Sequence, residues 1–130
     1  MLYTPLYTTD TKSGIEWMNI IASDFNTCAK IQKGHLFGEF NPILSSPRNP
    51  SYIDFNNCVI RIKDFYIERD NHIYMGYEWL NTQFAEKVYE TWYKNPDSYQ
   101  FVPRISKVHR SIWKSSILIT VDLVELPHLI

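Results

Sequence analysis

Apolar residues recur with a helical period in residues 13–32. Ser13 and Glu16 have the spacing of a capping box at the start of this segment, and Gly34 follows its end. The pattern predicts one amphipathic helix that packs its apolar stripe against the core. The stripe consists of Met18, Ile21, Ala22, Phe25, Cys28 and Ala29.

A second helical pattern covers residues 82–95. Asn81 or Thr82 is placed to cap it, and the turn sequence "NPDS" follows. One face of the helix carries Phe84, Ala85, Val88 and Trp92. This pattern predicts a second amphipathic helix.

The remaining segments have the pattern of β-strands. Residues 2–7 predict a short edge strand because Pro5 cannot donate a backbone hydrogen bond. Residues 51–80 alternate on both sides of the turn "ERDN", which predicts a long hairpin, and residues 99–130 predict two or three strands. The sequence therefore predicts an α+β fold.

Length and charge narrow the class of protein. With 130 residues, 45% of them hydrophobic, the chain predicts a single domain over residues 1–130 with one compact core. The net charge is −1 and the 13 basic residues are spread along the chain, so we expect no nucleic-acid partner.

The chain shows no pattern for a metal, a cofactor or a membrane. Its two cysteines, Cys28 and Cys58, are too few for a zinc site or a disulfide framework and predict buried thiols. The amino terminus lacks a signal-peptide pattern and no apolar run is long enough for a membrane span, so we expect synthesis and retention in a cytoplasm.

Candidate catalytic groups are few. Of the histidines, His109 alone has serines nearby, and on an extended strand Ser111 lies on its face, whereas Ser106 points away. Asp122 lies in the apolar run "ILITVDLVEL", where a carboxylate needs hydrogen-bond donors. The residues alone predict an α+β domain without a defined activity.

The order of segments resembles a known family. The first helix is followed by "KGHLFGEFNP", "IDFNNCVIRIKDFYIERDNHIYMGYEWLNTQFAEKVYE", "YQFVPRISK" and "ILITVDLVELP". This order, from about Ile20 to Pro127, resembles the prohead (capsid maturation) serine proteases of tailed bacteriophages, which share a fold with herpesvirus assemblins. The resemblance implies an antiparallel, barrel-like sheet flanked by two main helices.

The sequence departs from this family at its catalytic positions. The first family signature ends in a histidine and a proline, and "GEFNP" keeps Gly38, Glu39 and Pro42 but has Asn41 before the proline. A Ser-His pair precedes Arg-Ile-Lys in the second signature, where this chain has Val59 and Ile60.

The third signature is Ser-x-Arg-Gly, which carries the nucleophile. Here Val102 occupies the serine position, Arg104 is kept, and Ile105 replaces the glycine. Neither valine nor isoleucine can act as a nucleophile or a base. Because Glu39 and Arg104 remain, we expect Glu39 to hydrogen-bond to neighbouring backbone or to Arg104.

The resemblance and these departures together predict a pseudo-protease. We expect no enzyme activity, a location in the virion head after synthesis in the host cytoplasm, and binding to capsid or other virion proteins, with self-association a further possibility. The extended run "NHIYMGYEWL" is a candidate for binding a peptide by strand addition. Two alternatives stay open: an active serine protease with a relocated Ser111–His109 pair, and a small phage inhibitor that sequesters a host defence factor.

Overall fold

The structure is a computed structural model that describes residues 2–7, 13–42, 52–110 and 113–126, with only the backbone for residues 106–110 and 113–116. Within these residues the chain forms three α-helices and six β-strands, which confirms the predicted α+β class. The helices are α1 (Gly14–Ser23), α2 (Phe25–Lys33) and α3 (Gln83–Lys94). The strands are β1 (Leu2–Pro5), β2 (Phe37–Glu39), β3 (Cys58–Ile67), β4 (Ile73–Trp79), β5 (Tyr99–Arg110) and β6 (Trp113–Glu125).

The strands form two antiparallel sheets. The first has the order β1-β4-β3-β2, and the second is the β5-β6 hairpin. The β3-β4 hairpin predicted from the "ERDN" turn is present, and β1 lies at the sheet edge, where Pro5 requires no hydrogen-bond partner. Since β4 pairs with β1 on one side and β3 on the other, the predicted strand addition at this segment is wrong.

Two seams join the sheets. At the first seam Phe40 bridges to Leu123, and the Asn41 amide donates to the Leu123 carbonyl at 2.9 Å. At the second, the Tyr7 amide donates to the Phe101 carbonyl at 2.8 Å. The strands thus form two open sheets in contact rather than a closed barrel-like sheet, because the described pairing across each seam is local.

The segment predicted as one helix forms two. Asp24 ends α1, and its carboxylate then accepts the Asn26 amide and the Thr27 hydroxyl at the start of α2. This break shifts the helical register, so Phe25 is 81% exposed instead of packing in the core. The two main helices expected from the resemblance are therefore three.

The predicted helix ends are confirmed. Ser13 and Glu16 form the capping box of α1, Gly34 ends α2 with a φ of 72°, and the Thr82 side chain caps α3. Most of the buried apolar residues come from β3, β4 and β6, and α3 packs Ala85 and Val88 against them. A smaller cluster lies between α1 and the strands, and Leu6 and Phe65 pack against both clusters.

Candidate functional site

A buried ionic cluster lies where the two sheets meet. It consists of Glu39 at the end of β2, Arg104 in β5 and Asp122 in β6, which are 0%, 4% and 2% exposed. Arg104 donates from Nε and Nη2 to the two Asp122 oxygens at 2.9 and 2.8 Å, and from Nη2 to Glu39 Oε2 at 2.8 Å. The predicted contact between Glu39 and Arg104 is therefore confirmed.

The strand register brings these charges together. Arg104 is paired with Thr120 and Val102 with Asp122, and directly opposed residues of an antiparallel pair share one face of the sheet. The Glu39 amide donates to Asp122 Oδ1 at 3.0 Å, and the Thr120 hydroxyl donates to the Phe37 carbonyl. Side chains of β6 thus hold the backbone of β2 at the first seam.

Among the described residues this cluster has one basic and two acidic groups, and burying charged groups is costly. Burial raises the pKa of the Asp122 carboxyl above its usual value, and the Arg104 hydrogen bonds only partly offset this rise. Burial alone would lower the pKa of Arg104, but the hydrogen bonds and charges of Asp122 and Glu39 outweigh it and raise this pKa. Arg104 therefore stays charged, and the cost of burial is seen in the raised pKa of Asp122.

Polar groups around the cluster make further hydrogen bonds with it. Asn57 donates from Nδ2 to Glu39 Oε1 at 3.2 Å and to the Phe40 carbonyl at 2.8 Å, and Arg104 Nη1 donates to the Tyr52 carbonyl at 3.0 Å. Burial, followed by the charge of Glu39, raises the pKa of the Cys58 thiol to about 12. Cys58 is thus protonated near neutral pH and is a poor nucleophile.

Gly38 is required by the close approach of β2 to its neighbours. A Cβ at this position would lie 2.0 Å from the Val121 carbonyl oxygen and 2.9 Å from Ile60 Cγ1. Only glycine lets β2 fit between β3 and β6, so this residue of the "GEFNP" motif has a packing role.

Two of the positions that the sequence resemblance assigns to catalytic residues hold apolar side chains with structural contacts. Ile60 is fully buried in β3 between Gly38 and Trp79, and Val102 lies half-buried opposite Asp122. Neither side chain has a polar atom. These two positions therefore contribute packing to the sheets.

Asn41 joins β2 to the end of β6. Its φ is 45°, its Nδ2 donates to Glu125 Oε1 at 3.2 Å, and its Oδ1 accepts the Glu125 amide at 2.8 Å. Asparagine tolerates this left-handed conformation better than most residues. Pro42, which follows, is half-buried.

Of the histidines, His35 and His72 lie among the residues whose side chains the structure describes. His35 is exposed just before β2, and His72 is exposed in the β3-β4 turn. The side chains of Ser106 and His109, together with the whole of Ser111, lie outside the described residues.

Neither a metal centre nor a membrane span is found in the described part of the chain. Within residues 2–7, 13–42, 52–110 and 113–126, no three His, Cys, Asp or Glu side chains cluster as metal ligands. No helix in these ranges has the length and apolar character needed to cross a bilayer.

A cleft of about 240 Å³ lies next to Asn41, between α3 and the seam of the sheets. This cleft could not be predicted from the sequence, because its walls come from four separate segments. Its lining residues are Phe40, Lys87, Val88, Thr91, Tyr99 and Glu125.

The contacts of Asn57 and Tyr52 with the ionic cluster could not be predicted from the sequence either. Asn57 gave no signal, since asparagine is common in loops before strands. Asp122 did give one: a carboxylate within an apolar strand requires buried donors, and Arg104 and the Glu39 amide supply them.

Comparison with known proteins supports the fold. No protein-family model matches this sequence, and no curated protein is significantly similar to it. Among solved structures, the chain is similar to the capsid assembly protease gp21 of bacteriophage T4, with a TM-score of 0.53 and 12% sequence identity. The alignment covers 94% of this chain and 80% of that protease. The chain therefore has a prohead-protease-like fold.

Proposed function

We propose that this protein is a pseudo-protease of phage head assembly, which binds capsid or other virion proteins without cleaving them. Its fold resembles that of a phage capsid assembly protease over nearly the whole chain. A location in the virion head, after synthesis in the host cytoplasm, follows from this role. Self-association within the particle is compatible with it.

The proposal depends mainly on the side chains at the three positions where the resembled family has its catalytic residues. Ile60 is fully buried in an apolar cluster, Val102 has no polar side-chain atom, and Asn41 is hydrogen-bonded to Glu125. A serine protease needs a hydroxyl nucleophile with an imidazole within hydrogen-bonding reach. Loss of such a unit lowers turnover by about a million-fold.

A serine-directed fluorophosphonate probe tests the absence of catalysis. We expect no labelling of the purified protein, and no difference between the wild type and Ser111→Ala. Labelling that is lost in Ser111→Ala, together with cleavage of a capsid or scaffold protein, would establish the relocated protease instead.

Mass spectrometry of purified particles tests the structural role. We expect the protein in virions or proheads of the phage that encodes it, at a constant ratio to the major capsid protein. Its absence from both particles, with co-purification of a host protein from infected cells, would favour a host-factor inhibitor.

A further inference from the structure

The cleft beside Asn41 has the size of a receptor for one side chain. Its volume of about 240 Å³ falls below the roughly 300–1,000 Å³ that pockets for small molecules and cofactors usually have. An open cleft of this size fits one anchor residue of a protein partner. The side chains that line the cleft determine which type of residue it binds.

We propose that this cleft binds an arginine side chain presented by a partner protein. The inference rests on the proposed binding function and identifies the surface and the chemistry of that binding. Two half-buried rings, Phe40 and Tyr99, form part of the wall with their centroids 6.1 Å apart at an interplanar angle of 43°. A planar guanidinium stacks on such rings while its edge remains able to donate hydrogen bonds.

Glu125 supplies a carboxylate that is already fixed in place. Asn41 donates to its Oε1 at 3.2 Å and accepts its backbone amide at 2.8 Å, and Asn41 is held by the Leu123 carbonyl at 2.9 Å. An acceptor fixed before binding loses little conformational freedom when the ligand arrives. The residue at the family's first histidine position therefore orients an acidic group at the cleft.

Lys87 lines the same cleft and carries the opposite charge. It is an exposed residue of α3, and ordering its flexible four-carbon stem around an anion costs conformational entropy. Glu125 requires no such ordering, so the cleft selects a cation, and Lys87 weakens the binding of that cation. Changing the charge of Glu125 and changing that of Lys87 should therefore alter the binding of a cation in opposite directions.

The test is an NMR titration of the ¹⁵N-labelled full chain with three blocked pentapeptides, each with alanines around a central arginine, citrulline or glutamate. For a one-residue contact we expect a dissociation constant on the order of millimolar for the arginine peptide. Amide shifts should concentrate at Phe40, Tyr99 and Glu125. Equal binding of citrulline, stronger binding of glutamate, or no shift at the cleft would overturn the proposal.

Charge variants give a second test, because the proposal predicts whether each one weakens or tightens binding of the arginine peptide. Glu125→Gln should weaken arginine-peptide binding about three- to fivefold, and Lys87→Glu should tighten it by a similar factor, as for a partly exposed ion pair. Lys94→Glu makes the same charge change about two turns further along α3, outside the lining of the cleft, and should change binding much less. If Lys94→Glu and Lys87→Glu act equally, net charge explains the binding and the cleft does not. Because the titration needs no particle, its failure leaves the virion result for the proposed function intact.

Discussion

At the scale of single residues, Arg104 is the basic group that hydrogen-bonds to both carboxylates of the ionic cluster. Arg104→Met leaves Glu39 and Asp122 buried without their cation, and we expect a loss of about 3–5 kcal/mol in the free energy of unfolding. Glu39→Ala keeps the Arg104–Asp122 pair and should cost only about 1–3 kcal/mol. Urea denaturation of the variants measures both values.

An exposed ion pair provides the control for these two variants. Glu78 accepts a hydrogen bond from Arg61 at 2.8 Å, but its side chain is 41% exposed. Glu78→Gln should therefore cost less than about 1 kcal/mol. An unchanged melting temperature in Glu39→Ala would contradict a stabilising role for the retained motif.

Asp122 should make stability depend on pH in an unusual direction. Because burial raises its folded-state pKa above the usual value of 3.8, the folded protein holds this proton more tightly than the unfolded chain. Between the two pKa values, rising pH therefore lowers the free energy of unfolding. We expect the stability of the wild type relative to Asp122→Asn to fall as pH rises above the usual pKa of 3.8, measured by urea denaturation at each pH.

Asp70 gives a control of opposite sign. Its hydrogen bond from the His72 backbone lowers its pKa, so its contribution to stability is present at higher pH and is lost as pH falls through the folded-state pKa. The stability of the wild type relative to Asp70→Asn should thus rise with pH. The same trend in Asp122→Asn would mean that Arg104 outweighs the burial of Asp122.

At the scale of elements, the position of β2 depends on Gly38. A methyl group there would meet the Val121 carbonyl at 2.0 Å, and a backbone atom in a paired strand cannot move aside easily. We expect Gly38→Ala to cost about 3 kcal/mol or more in the free energy of unfolding, because β2 must separate from β6. Thermal denaturation followed by circular dichroism measures the loss.

Gly34→Ala is the matched control for this substitution. Gly34, unlike Gly38, has a positive φ, of 72°. A Cβ at Gly34 would lie 3.6 Å from its nearest non-local atom, which is an ordinary contact distance. The backbone conformation alone should then cost about 1–2 kcal/mol. If the two alanine variants are equally stable, close approach of β2 to β6 does not explain Gly38.

The elements also show what sequence patterns can predict. Local signals placed the cap at Ser13, the end of α2 at Gly34 and the β3-β4 turn, because each depends on neighbours in sequence. The break at Asp24 was missed because an apolar stripe continues through it. The seams were missed because they depend on contacts such as Asn41 with Glu125, 84 residues apart in the chain.

At the scale of the whole molecule, the seams decide whether the two sheets behave as one folding unit. Leu6 and Phe65 pack against both hydrophobic clusters, and the Glu39–Arg104–Asp122 cluster links the sheets through buried charges. Separating the sheets would break the buried Glu39–Arg104 ion pair and expose both hydrophobic clusters, so we expect a single two-state unfolding transition. Calorimetric and van't Hoff enthalpies should agree, and far- and near-ultraviolet circular dichroism should give one midpoint. Arg104→Met should lower that midpoint for both signals together; a separate early transition of the β5-β6 hairpin would show that the seams do not couple the sheets.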